Sequence, residues 1–176
     1  MAENISAFDV AKYFISKDTD GTVFNSKRCS FDIKGAPVQG NLMLNKLLHT
    51  AQGIYIAKYG RKLFDDTLYA YSNGPVVESV RTKYFQLLRK RDTFKDFHIS
   101  PDIDHLLDQI YDLYYDTDPE EFIMISHNDV AWAESVHDEA NDQRMDVMKH
   151  ADDYRHLYSG VLMMFDRMDR GVATVC

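Results

Sequence analysis

The side chains best suited to chemistry in this sequence are its carboxylates and histidines. Three pairs stand three residues apart, a spacing that places both groups on one helical face: Asp102/His105, Glu134/His137 and Asp153/His156. Such a pair is half of a dimetal carboxylate site in a helical protein. Pairs of this kind also arise by chance in a chain with seven histidines and 28 acidic residues. Asp102 and His105 sit at a helix start, and no clear pair of inward-facing glutamates accompanies the other two. Ordinary surface residues account for the pattern, and no metal or other cofactor is expected. A dimetal helical enzyme built on Glu134/His137 and Asp153/His156 stays as the less favoured alternative.

Other chemical motifs are weaker. Asp18-Thr19-Asp20-Gly21 hints at a calcium loop, but with Gly21 in the sixth position the twelfth is Lys27, which cannot ligate calcium. A turn is the expectation there. Ser126, His127 and Asp129 are close in sequence, yet neighbours on one segment do not form a triad without the right geometry. There is no Gly-rich phosphate loop, HExxH, CxxC or GxSxG motif. Nothing asks for a catalytic residue, so the expectation is a binding protein and not an enzyme.

These side chains must be positioned mainly by helices. Apolar spacing predicts five amphipathic helices, at roughly 7–17, 41–59, 76–90, 101–114 and 154–168. The second is the strongest, with Leu44, Leu47, Leu48, Ala51, Ile54 and Tyr55 on one stripe, Asn41 as its cap and Gly60 as its stop. The last reads as a single helix presenting Tyr154, Leu157, Tyr158, Val161, Phe165 and Met168 to the core. Asp118-Pro119-Glu120-Glu121 is a start signal for a shorter helix, Val130, Trp132 and Val136 mark another, and Met145 and Met148 a third. Strand-like composition appears near 22–36 and at 67–72, and Gly74-Pro75 is expected to turn the chain into the third helix. The fold class is mainly α: a single compact helical domain, 1–176, of about six to eight helices with a small β-hairpin or short strands.

Charge is distributed unevenly. Residues 102–153 carry sixteen Asp or Glu against Arg144 and Lys149, a net of −14 within a total of −8, so the remainder is +6. The basic part is densest from Arg81 to Lys95. The acidic stretch repels phosphate, which argues against nucleic acid as a ligand for that half. It reads either as a solvated helical face or as a landing surface for a basic protein. No apolar run approaches membrane-spanning length and the N-terminus lacks a signal-peptide pattern. Cys29 and Cys176 read as free thiols, so a cytoplasmic location is expected.

Taken in order, these motifs resemble the Panacea domain of bacterial antitoxins, which includes SocA-like and phage-associated GepA-like proteins. Asp9-Val10-Ala11-Lys12-Tyr13-Phe14 resembles the opening D-V-A-x-Y-(F/L) helix of that family. Leu44 through Gly53 (LNKLLHTAQG) resembles its L-Q-K-L-L-Y-Y-A-Q-G helix, followed by Tyr55 and Tyr59-Gly60. Leu63-Phe64-Asp65 and the run Ala70-Tyr71-Ser72-Asn73-Gly74-Pro75-Val76-Val77 resemble the L-F and A-W-x-x-G-P-V-V signature, and Ser126-His127 with Trp132 resembles an S-H…W element. The chain departs from the pattern at Asn45, His49-Thr50, Tyr69 and Tyr71, and residues 22–39 read as an insertion.

The resemblance implies a scaffold that neutralises a cognate protein toxin by direct binding, in some members also delivering it to a cellular protease. Inhibition of a host defence protein by a phage-borne member is the alternative. Asp9, Gly74 and Pro75 read as structural signature residues, Gly74 for its backbone freedom and Pro75 as the first residue of a helix. The partner-binding candidates are Lys46, His49, Gln52, Tyr55, Tyr71, Asn73, His127 and Trp132. Lys46, Gln52 and His127 are polar groups in otherwise apolar patterns, suited either to bonding chain segments inside the fold or to forming a recognition pocket. Tyr55, Tyr71 and Trp132 would anchor a partner if exposed.

Overall fold

A computed structural model of the chain describes residues 5–24, 39–96 and 99–171. Among these, eight α-helices and one two-stranded sheet run in the order α1 (Ala7–Lys17), α2 (Gln39–Tyr59), β1 (Leu68–Tyr71), β2 (Gly74–Val77), α3 (Glu78–Arg89), α4 (Pro101–Tyr114), α5 (Pro119–Ser126), α6 (Val130–Ser135), α7 (Ala151–Leu157) and α8 (Ser159–Asp169). The mainly helical expectation holds. Most of the hairpin expected near 22–36, and of the insertion at 22–39, falls outside the described residues. No helix among those described is long and apolar enough to cross a membrane.

The helix starts follow local chemistry. Ser6 caps α1 by accepting the Asp9 N–H, while the Asp9 carboxylate accepts the Ser6 N–H at 3.0 Å and its hydroxyl at 2.6 Å, a reciprocal box that accounts for Asp9. Asp118 caps α5 by accepting the Glu120 and Glu121 N–H groups, with Pro119 in the first turn where a missing N–H costs nothing. Gly60 ends α2 with φ +68, its N–H donating to Ile56 O at 2.8 Å. The 18–21 segment is a turn, as expected, and the turn runs on through residues 22–24, the described part of a stretch expected to be strand-like. The buried Asp18 carboxylate accepts the Val23 and Phe24 N–H groups at 3.1 and 3.0 Å.

The centre of the fold is α2, which packs against α1, α3, α4, α5, α7, α8 and β2. Its residues are buried almost without interruption from Met43 to Ala57. The second helix therefore has no solvent face, which an apolar stripe alone does not reveal. Asn41 is not its cap: the helix starts at Gln39, and Asn41 Nδ2 donates to Arg81 O at 3.1 Å.

Two further expectations are corrected. Gly74 and Pro75 do not turn the chain into a helix. They open β2, which pairs antiparallel with β1 in the register Leu68↔Val77, Tyr69↔Val76, Ala70↔Pro75, Tyr71↔Gly74. Pro75 removes one donor, which an edge strand tolerates. The other edge of β1 is met by the 143–145 segment, through Ala70 N to Gln143 O at 2.8 Å and Met145 N to Leu68 O at 2.9 Å. The third helix accordingly begins at Glu78, after Val76 and Val77 have been used by the strand. The long terminal helix is two, broken at Tyr158, with Tyr154, Tyr158 and Phe165 in the core but Leu157 and Met168 exposed.

Candidate functional site

A polar stripe runs down the buried centre of α2. Asn41, Asn45, Lys46, His49 and Gln52 are spaced to share a face, and each reaches a segment distant in sequence or braces a neighbour that does. Gln52 is the clearest clamp. Its Oε1 accepts the Leu63 and Phe64 N–H groups at 2.7 and 3.3 Å, and its Nε2 donates to Phe64 O at 2.8 Å. One side chain thus satisfies backbone groups that burial would otherwise leave unpaired. Asn45 works the same way on the sheet, accepting the Val77 N–H at 2.9 Å while its amide donates back to Asn41.

His49 pairs with Asp129 at 2.5 Å, and both side chains are enclosed. Tyr154 O–H donates to the same carboxylate oxygen at 2.7 Å, and the Trp132 N–H donates to the other at 3.1 Å, capping α6. Burial pushes the Asp129 carboxyl upward, but the bonds from His49, Tyr154 and Trp132 outweigh it and hold the group below the usual carboxylate range. The His–Asp–Tyr cluster therefore ties α2, α6 and α7 together.

Lys46 differs from its neighbours. It is wholly buried, and its amine makes one long hydrogen bond, 3.4 Å to Pro75 O. Burial lowers its pKa to about 7. Gly74 lies directly against it with φ +103. A Cβ there would fall within 2.5 Å of Lys46 Nζ and closer still to Ser126 Oγ. Glycine is required at this position by both conformation and space. His127, just after α5, stacks flat on Trp132 with ring centroids 4.0 Å apart and hydrogen-bonds the Ser72 backbone, while its Nε2 is buried with no partner among the described residues. Burial, and then the Lys46 charge, lower its pKa. Trp132 Nε1 donates to Tyr71 O at 2.8 Å, fixing the hairpin to α6.

Beside this cluster opens a pocket of about 350 Å³, walled by Asn41, Asn45, Lys46, the 71–73 turn, Val76 and Arg81. Tyr71 O–H donates to Glu78 at 2.9 Å, and Arg81 forms two bonds to the same carboxylate at 2.8 and 2.7 Å. Glu78 is held below the usual range, first by the Arg81 hydrogen bond.

The sequence candidates thus separate. Lys46, Tyr71 and Asn73 line the pocket, with Asn73 exposed at the turn. His127 and Trp132 are half-buried behind it. His49, Gln52 and Tyr55 are interior, so Tyr55 offers no surface anchor in this conformation, and its ring meets Tyr59 at 4.6 Å. Pro75 is a strand residue and not a helix start. Ser126, His127 and Asp129 do not form a triad: Ser126 donates to Ile123 O at 2.7 Å, and Asp129 faces His49. The carboxylate–histidine pairs rearrange as well. His150 bridges Glu134 and Asp153 at 2.8 Å each, and His105 pairs with Asp169 at 2.7 Å. No group of three or more His, Cys, Asp or Glu among the described residues could hold a metal ion. Asn41, Asn45, Arg81, Asp129 and Tyr154 were missed by sequence reasoning. The i, i+4 recurrence of asparagine in α2 was the available signal for the first two.

Comparison with known proteins returns one family. Residues 44–133, from the middle of α2 through α6, match the Antitoxin SocA-like, Panacea domain. No curated protein and no solved structure matches the chain. The matched stretch holds α2 from Leu44, the hairpin, every pocket-lining residue except Asn41 and Leu42, and the His49–Asp129 pair. The chain belongs to the Antitoxin SocA-like, Panacea-domain family.

Proposed function

We propose that this chain is an antitoxin that neutralises a protein toxin by direct binding, acting as a cytoplasmic protein without catalysis of its own. The observation that carries this reading is the match of 44–133 to an antitoxin domain over the segment that builds the polar interior and the hairpin pocket. Most of the stripe on α2 is committed to contacts inside the fold, which suits a rigid scaffold that presents a surface and not one that turns over a substrate. Exposed apolar side chains at Met124 (72%), Met163 (57%) and Met168 (58%) offer contact area, methionine adapting readily to a partner's shape. The net charge of −14 across 102–153 would steer a basic toxin toward that part of the chain.

Co-expression with the product of the adjacent gene tests the proposal. The expected result is rescue of growth from a toxic neighbour, together with a stoichiometric complex on gel filtration. Neither rescue nor complex would sink it. Loss of the toxin in wild-type but not protease-deficient cells would identify an adaptor role, and capture of a host defence protein in place of a toxin would identify the phage-inhibitor alternative.

A further inference from the structure

The hairpin pocket is lined in part by Lys46, whose buried amine has no counter-ion among the described residues. Lys46 has three N–H donors, and its one bond among the described residues is to Pro75 O, so two donors lack acceptors. Burial lowers its pKa, and no Asp or Glu among the described residues pairs with it. The charged and titratable groups around it are His127, behind the hairpin, and Tyr71, Glu78 and Arg81 at the outer edge. The Lys46 charge disfavours protonation of His127, and Glu78 is already bonded to Tyr71 and Arg81.

The pocket wall is matched to an acid. Lys46 when protonated and Arg81, which is paired with Glu78, are its cationic side chains, Asn41 and Asn45 are amides, and no Asp or Glu among the described residues lines it. Leu42, Val76 and the Tyr71 ring add an apolar lining that a hydrated inorganic anion would leave uncovered. A carboxylate on a short methylene stem fits both features at once, offering charge to the cations and hydrocarbon to the apolar wall.

We propose that this pocket receives the acidic side chain of a polypeptide partner, glutamate or aspartate, which pairs with Lys46. The inference rests on the protein-binding reading above and names the contact that the partner would make. It gives the basic side of the chain a role distinct from that of the acidic stretch. One partner would be recognised through charges of both signs.

The test uses the full chain with 13C-labelled lysine and the peptide acetyl-Ala-Glu-Ala-amide. Acetyl-Ala-Gln-Ala-amide, acetyl-Ala-Ala with a free C-terminus, and inorganic phosphate serve as comparisons. The glutamate peptide is expected to shift the Lys46 Cε resonance and the Ser72, Asn73 and Arg81 amides saturably. It should raise the Lys46 titration midpoint by about one pH unit, as an opposite charge does. The glutamine peptide should bind at least about tenfold more weakly, the difference between a charge-assisted and a neutral contact. Lys46→Met should abolish the response while keeping cooperative unfolding, and Arg81→Gln should weaken it independently should the first variant fail to fold. No response to the glutamate peptide, an equal response to the glutamine peptide, or a response confined to phosphate or the free C-terminus overturns the proposal. A chain that rescues growth from its toxin yet ignores the peptide loses this inference alone. One that binds the peptide but rescues from no toxin loses the antitoxin reading alone.

Discussion

A lysine amine taken out of water without a counter-ion costs more to keep protonated than to neutralise. Lys46 titrates near 7 in the folded chain against 10.5 for a free side chain, so between those values the unfolded chain binds more protons. Stability must then rise with pH across that window, by up to about 1.4 kcal/mol per unit. The buried tyrosines act in the opposite direction only at higher pH, because their raised pKa values favour the unfolded chain once free tyrosine ionises. Urea midpoints measured from about pH 7 to 9.5 are expected to climb in the wild type relative to Lys46→Met, since replacing a buried unpaired charge with an apolar side chain removes the effect. Parallel curves for the two proteins would show Lys46 to be solvated. Asp129 behaves in the reverse sense. Its folded pKa is depressed, so its contribution is full above the unfolded value and is lost as pH falls through the folded one. Asp129→Ala strands His49, Tyr154 and the Trp132 N–H together and is expected to cost about 3–5 kcal/mol in denaturant unfolding. A loss under 1 kcal/mol would mean that this cluster is not closed to water.

Among the elements, the β1–β2 hairpin has the most demanding geometry. Its turn is Ser72-Asn73, its second strand opens with a glycine at φ +103, and that glycine lies against Lys46 and Ser126. Gly74→Ala meets both a conformational penalty and a steric one. The expected loss is about 2–3 kcal/mol, or roughly 4–12 °C in thermal midpoint for a chain of this size. Calorimetry reads it directly, and an unchanged midpoint would show that the hairpin can move away from α2. Sequence reasoning found the strand at 67–72 but not its partner, because Gly-Pro is equally a turn signal and a helix entry. What made 74–77 a strand was Asn45, which accepts the Val77 N–H, and α2 behind it. In α2 itself the helix was legible from its apolar stripe, whereas burial of the opposite side was not. Asn45, Lys46, His49 and Gln52 have the composition of a solvated face and become interior only because α5, α7 and the hairpin cover them.

For the whole molecule, the surface divides between function and indifference. Met163 and Met168 on α8 are more than half exposed, so Met163→Ser with Met168→Ser should change unfolding free energy by less than about 0.5 kcal/mol. A larger destabilisation would mean that this face of α8 is covered. The histidine–carboxylate pairs illustrate how sequence spacing misleads at this scale. Asp153 and Glu134 converge on His150 and not on His156 and His137, because the short 3-10 turn Met148–His150 leading into α7 places the His150 ring between them.

Local chemistry in the sequence was enough to determine the helical class, the start of α5 at Asp118, the stop at Gly60, and the family through the order of its motifs. Those features depend on residues a few positions apart, within reach of one another whatever the rest of the chain does. The tertiary structure alone decided that Lys46 has no counter-ion among the described residues, that Asp129 answers His49 and not His127, and that Tyr55 lies inside. Each of these outcomes turns on what covers a side chain, and the covering groups come from segments distant in sequence, 80 residues away in the His49–Asp129 pair.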